Sequence, residues 1–397
     1  MHESQTPNIE ISIYTRLLGL YFLLLVMGAI GIPGIGSVLR YLALLPVLYC
    51  LCSRLRGHHF YIKRSKAVLF FTIFVILCFL SSITSISPRA SLSRSISQLS
   101  FLLMLITTSS YSFSEDEVLY LRNKLVWASR ITAVITLVFG YYSAGRLLLR
   151  GIIQEDPNYL CAYFLFGIAN DMSVLLDENS IKKKAISVIE LFVYVYIAVA
   201  TGSRGGLMAL LVCMVVEYIC SALMNRLSLN KIVSQLLVII SIIAIILIVM
   251  HFASQQLLER FTVQDVIDSR GAGRFDIWQD AIATYKDSDL LRKLFGYGTG
   301  TAAAIASFFG FRRVNVFHNI FLENLLELGA VGLIVYAIYT ISFCALAIKS
   351  KNKFAIPILL GIIVLSFSTS LYTFKPYWDI LLFIICLNNT DEVPINI

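Results

Sequence analysis

Residues 328–348 read LGAVGLIVYAIYTISFCALAI, without one charged side chain. An α-helix rises about 1.5 Å per residue, so about 20 residues span the ~30 Å hydrocarbon core of a bilayer. Lipid offers backbone N–H and C=O groups no water partner, so a run of this kind must be helical if it crosses a membrane. Comparable runs recur from residue 14 to residue 388. The pattern predicts twelve spans, at about 14–31, 37–53, 67–84, 95–110, 125–142, 159–176, 185–201, 205–222, 232–252, 328–348, 354–371 and 377–389. Upstream of residue 328 there is no proline or turn cluster back to Phe317. The tenth helix is therefore expected to run unbroken from Phe317 to Ile348, roughly 48 Å, with residues 317–327 projecting beyond the bilayer.

Composition agrees. Mean hydropathy is +0.80, and 14% of the 397 residues are charged, against about a quarter in soluble domains. The fold class is all-α: one polytopic membrane domain over residues 1–397, with one large loop, 253–316, inserted between spans nine and ten. The first run lacks a small-residue cleavage site and is followed by further spans, so it reads as a transmembrane helix and not as a cleaved signal peptide.

Basic residues fix the expected orientation. Arg54, Arg56, Lys63, Arg64 and Lys66 follow span two, Lys182–Lys184 follow span six, and Lys349, Lys351 and Lys353 follow span ten. Basic loops stay cytoplasmic. Both termini are then cytoplasmic, and loop 253–316 lies outside the cell. The net charge of +8 comes from these connections and does not indicate nucleic acid. The loop holds eight basic and seven acidic residues, a net charge of +1. The eight cysteines all fall within apolar runs, as small buried side chains, and none lies in the loop.

Three places carry candidate chemistry. Thr201-Gly-Ser-Arg-Gly-Gly206 puts Arg204, with Ser203, in a tight turn before a helix. Arginine at a helix end often only snorkels, but a helix N-terminus favours an anion and a guanidinium fork suits phosphate. Ser269-Arg-Gly-Ala-Gly-Arg-Phe-Asp-Ile-Trp278 offers Arg270 and Arg274 to an anion, unless Asp276 takes one of them. Trp278 could stack on a sugar or anchor at an interface. His318-Asn319, with Glu323, begins the tenth helix. An imidazole can accept a proton from a hydroxyl, and Glu323 could orient it or merely solvate a face shared with Asn319 and Glu327.

Other motifs are missing. The first outer connection, Gly31–Gly36, has no acidic residue to hold a divalent metal, and Asp287-Ser-Asp289 reads as a solvated turn among Lys286, Arg292 and Lys293. There is no nucleotide phosphate loop, nucleophile elbow or paired-cysteine zinc motif.

Taken in series, these stretches resemble the bacterial O-antigen ligase and O-antigen polymerase family. The matching segments are Asp156-Pro-Asn158, Thr201–Gly206, Gly273-Arg-Phe-Asp-Ile-Trp278, Gly296-Tyr-Gly-Thr-Gly300 and His318–Leu333, spanning roughly residues 155–335. The resemblance implies a GT-C-like membrane fold and a metal-independent, inverting glycosyltransferase with no cofactor. It implies an undecaprenyl-pyrophosphate-linked glycan as donor, a glycan or lipid-linked acceptor, and surrounding membrane lipids and polysaccharide-assembly proteins as partners. The setting is the bacterial cytoplasmic membrane, in the synthesis of O-antigen, capsule or exopolysaccharide. Carried over by motif, Arg204 and Arg274 bind the pyrophosphate and His318 activates the acceptor hydroxyl, with Glu323 beside it. Ser203, Arg270, Asn319, Asp156, Asn158 and Trp278 are supporting candidates. Phe311-Arg-Arg313 departs from the pattern. Nothing points to a lipid A core acceptor, so a polymerase is favoured over a ligase. The rival from another class is a lipid-linked oligosaccharide flippase or other transporter, which calls for internal repeats and polar residues in mid-membrane; neither is apparent in the sequence. A non-catalytic scaffold is a third reading, and it predicts that His318 is dispensable.

Overall fold

The computed structural model describes residues 11–390 except 30, 33–35, 57–64, 144, 150–156, 225–239, 241–242, 246, 252–254, 312–315 and 372–373. The chain is mostly helical. In order, the helices are α1 (Ile13–Leu23), α2 (Val38–Leu55), α3 (Lys66–Ser81), α4 (Pro88–Ser109), α5 (Glu115–Phe139), α6 (Pro157–Ala162), α7 (Leu165–Asp177), α8 (Ile181–Ala200) and α9 (Arg204–Met224). The long loop contributes α10 (Gln255–Glu259), α11 (Val263–Asp268), α12 (Arg274–Asp287), α13 (Leu290–Phe295) and α14 (Ala302–Phe308). Four helices follow: α15 (Ile320–Glu327), α16 (Gly329–Lys349), α17 (Ala355–Ser366) and α18 (Lys375–Asn388). Two small antiparallel hairpins, Gly31–Ile32 with Gly36–Ser37 and Tyr141–Ser143 with Arg146–Leu148, close two of the connections.

Helix lies in every predicted run; of 232–252, most of which is outside the described residues, positions 240, 243–245 and 247–251 are described and helical. By length and composition, four helical segments among the described residues can cross a membrane: Pro88–Ser109, Pro157–Asp177, Arg204–Leu223 and Gly329–Lys349. Shorter apolar helices occupy Ile13–Leu23, Tyr41–Ser53, Lys66–Ser81 and Ala355–Ser366. On α16, Ile334, Ile341 and Ile348 are exposed at seven-residue intervals, whereas Tyr336, Tyr339 and Phe343 are buried. A helix apolar on both its buried and its exposed face suits lipid on one side and protein on the other. Inside the bundle the Trp378 ring stacks on Phe101 with centroids 4.2 Å apart, and Phe71 and Phe74 pack against Tyr339. Glycine permits the closest helix approaches. A side chain at Gly361 would press on Leu165 and on the Ala209 carbonyl, where α17 meets α7 and α9.

Two expectations are corrected. The helix through residues 317–348 is broken. Leu328 leaves helical geometry, with φ −121° and ψ 1°, and Gly329 has φ +70°. A side chain at Gly329 would overlap the Leu294 carbonyl, so the glycine lets α13 cross the junction. Glu323 and Glu327 do not form a solvated face with Asn319, because both carboxyls are buried. Ionisable groups also occur within the bundle. Asp171, Glu217 and Asp379 are buried, and Arg130 pairs with Glu190 at 3.0 Å. Hydropathy averaged over a whole run hides such single residues. All eight cysteines are free thiols; Cys50, Cys78, Cys161, Cys213 and Cys386 are buried, whereas Cys52 is exposed.

Candidate functional site

The loop helices pack on one end of the bundle and build a second, small core from Ala281, Tyr297, Ala302, Ile305, Phe317 and Leu326. The turn Gly296–Gly300 pins this cap to the bundle. Tyr297 and Gly298 donate their N–H groups to the Leu326 and Glu327 carbonyls at 2.9 and 2.8 Å, and Tyr297 accepts from the Ile86 N–H at 3.0 Å. Gly296, Gly298 and Gly300 all have positive φ, and a side chain at Gly298 would overlap Ser85. The Glu327 carboxyl then accepts the N–H groups of Gly300 at 2.7 Å and Ala302 at 3.0 Å. Burial pushes Glu327 up to about 8, with the Glu323 charge adding to the effect. Burial likewise raises Glu323.

Between cap and bundle lies a cavity of about 350 Å³. Arg204, Arg274 and His318 line it, with Asn158 and Ser203. So do Arg146 and Arg260, which the motifs did not single out. Each predicted residue reaches this wall for a local reason. Gly202, at φ +61°, ends the α8 connection and turns the chain into α9. Ser203 donates to Asn158 Oδ1 at 2.6 Å and accepts the Gly206 N–H at 3.0 Å, tying the start of α9 to α6. Side chains at Gly205 and Gly206 would overlap Ser368 and Cys161, so both positions need glycine for this close packing. Arg204, at the first position of α9, reaches Asp265 on α11 at 3.2 Å. Arg146 donates from Nε to the Thr201 carbonyl at 2.8 Å, bracing the same turn.

Arg274 opens α12 after four consecutive residues with positive φ, Arg270 (48°), Gly271 (66°), Ala272 (62°) and Gly273 (78°). The left-handed region is costly for residues with a Cβ, so holding Arg270 and Ala272 there is an investment in where Arg274 sits. Gly271 and Ala272 also line the cavity. His318 has φ +52° as well. Its neighbours fix it on both sides: Phe317 is buried in the cap core and accepts from Trp278 Nε1 at 3.0 Å, and Asn319 caps α15 by accepting from Phe321 and Leu322.

The remaining candidates sit elsewhere. Arg270 pairs with Asp276 at 2.6 Å and bonds Gln279, away from the cavity wall. This is the structural use of Asp276 that the sequence left open. Trp278 and Asn319 position the segment around His318. Glu323 does not line the cavity; it accepts a hydrogen bond from Ser370. Asp289 caps α13 through the Arg292 N–H at 2.9 Å, as expected of a turn. Asp156, Arg312 and Arg313 lie outside the described residues. Arg260 carried no motif, and only tertiary packing brings it beside Gly202.

Residues 190–337 match the O-antigen ligase family. The match covers less than half of the chain and shows a likeness to that family over this segment, the one that holds most of the motifs. Arg204, Arg260, Arg274 and His318 all fall inside the matched segment, whereas Arg146 and Asn158 reach the cavity from outside it. No curated protein matches the chain.

Proposed function

We propose that the protein is a metal-independent, inverting glycosyltransferase that moves an undecaprenyl-pyrophosphate-linked glycan onto an acceptor sugar hydroxyl. The reaction takes place at the outer face of the cytoplasmic membrane, on a twelve-span, GT-C-like domain with both termini cytoplasmic, and polymerase action is favoured over ligation. The observation that carries the reading is one cavity lined by Arg204, Arg274 and His318 together, all three within the segment that matches the O-antigen ligase family.

The chemistry follows from these groups. The acceptor hydroxyl oxygen bonds to the anomeric carbon from the face opposite the leaving group. His318 takes the hydroxyl proton. The anomeric C–O bond breaks, and its electron pair leaves on the pyrophosphate. Charge grows on that leaving group, so Arg204 and Arg274 stabilise the transition state more than the ground state. The arginines meet this charge without a metal, and the ion pair of Arg204 with Asp265 keeps the guanidinium directed at the cap until phosphate replaces the carboxylate. In cells, Arg204→Ala and Arg274→Ala are expected to abolish polymer while the protein still inserts. Normal chain formation in both variants rejects the reading.

One observation favours a second reading. Asp171, Glu217 and Asp379 are buried in the bundle, and intramembrane carboxylates often serve ion-coupled transport. A flippase would move the lipid-linked glycan across proteoliposomes without extending it.

A further inference from the structure

Arg260 and Arg146 share the cavity with Arg204 and Arg274 but are used differently by the fold. Arg146 spends its Nε on the Thr201 carbonyl. Arg260 has its Nε buried with no acceptor among the described residues. A buried guanidinium donor without a partner costs on the order of 1–3 kcal/mol or more, so the position calls for an acceptor brought in from outside. The fold makes room for this side chain. Gly202 has φ +61°, and a side chain there would stand 3.2 Å from Arg260 Nε and 3.3 Å from its Cδ. Arg260 lies just before α11, and α11 supplies Asp265 to Arg204, so one short segment brings a cation and the counter-ion of a second cation to one wall.

We propose that Arg260 is a third phosphate-binding arginine of this cavity, directed at the pyrophosphate of the donor. The proposal rests on the glycosyltransferase reading and extends its anion seat. Three guanidinium forks facing one dianionic or trianionic group give directional donors to several phosphate oxygens at once. Asp265 is then the occupant of Arg204 that the pyrophosphate displaces, while Arg260 waits with an unused donor. An arginine that merely shields the turn would not need that donor.

Titration calorimetry with inorganic pyrophosphate on the detergent-solubilised full chain tests this. Arg260→Gln is expected to weaken pyrophosphate binding about tenfold to a hundredfold, in line with loss of a charge-assisted hydrogen bond. Arg260→Lys keeps the charge without the fork and should fall between the two; it decides the matter if Arg260→Gln does not fold. Lys286→Ala, which removes one exposed charge from the same loop, should bind like the wild type. If Arg204→Ala and Arg274→Ala lose binding while both Arg260 variants keep wild-type affinity, the role of Arg260 is refuted and the wider reading stands. If the wild type itself does not bind pyrophosphate, both are refuted.

Discussion

At the scale of single residues, the site divides into groups that face the cavity and groups that hold them there. His318 belongs to the first. Its replacement by alanine is expected to lower glycan transfer by about 10²–10⁴-fold, the usual contribution of a general base. Pyrophosphate affinity in His318→Ala should stay within a few-fold of wild type, since the arginines remain; loss of both together would point to a structural role instead. Trp278 belongs to the second group. Trp278→Phe removes the donor to the Phe317 carbonyl and keeps the ring, so transfer should drop while the fold persists. What the sequence revealed at this scale was uneven. Arg204 and Arg274 were legible because glycines beside each create a local signature, Gly-Ser-Arg-Gly-Gly and Gly-Ala-Gly-Arg. Arg260 was not, because its place depends on Gly202, some sixty positions away in the chain, giving it room. For Glu323 and Glu327, helical spacing shows that they share a face with Asn319, not what covers that face.

At the scale of elements, the joint between α15 and α16 and the Gly296–Gly300 turn decide how the cap sits. The break at Gly329 escaped the sequence reading because glycine is common in membrane helices, and nothing local reveals that Leu294 passes against it. Glu327 links the two parts by accepting two N–H groups of the turn. Its pKa is raised by burial from 4.5 to about 8. A raised folded-state value favours the neutral carboxyl, so this stabilisation is complete below about pH 4.5 and is lost as pH rises through about 8. Amide exchange of residues 298–302, corrected for the intrinsic rate, should therefore accelerate between pH 6 and pH 9. Glu327→Gln should remove that pH dependence; its persistence in the variant would assign it to another group. At the α6–α9 contact, Gly206→Ala would push a methyl into Cys161. Overpacking of this kind costs about 1–3 kcal/mol, to be read as a lower melting temperature in detergent.

At the scale of the molecule, a bundle that presents apolar side chains both inward and outward carries a polar cap on one end, with the arginine-lined cavity between them. The bundle was legible because each apolar run is a local property, and helices occupy the described runs. The cap was seen only as a hydrophilic interval, since its core draws Ala281, Ile305, Phe317 and Leu326 from segments far apart in sequence. The orientation makes its own prediction: a cysteine placed at the exposed Lys286 should react with a membrane-impermeant maleimide added outside intact cells, and protection there would invert the topology. The central claim is that this cavity transfers glycan from pyrophosphate. Its most direct test places purified protein in proteoliposomes with an undecaprenyl-pyrophosphate-linked glycan and follows both chain extension and movement of the lipid across the bilayer. The account predicts extended glycan from wild type and none from Arg204→Ala, Arg274→Ala or His318→Ala. Translocation of the lipid-linked glycan without extension by the wild-type protein would contradict it.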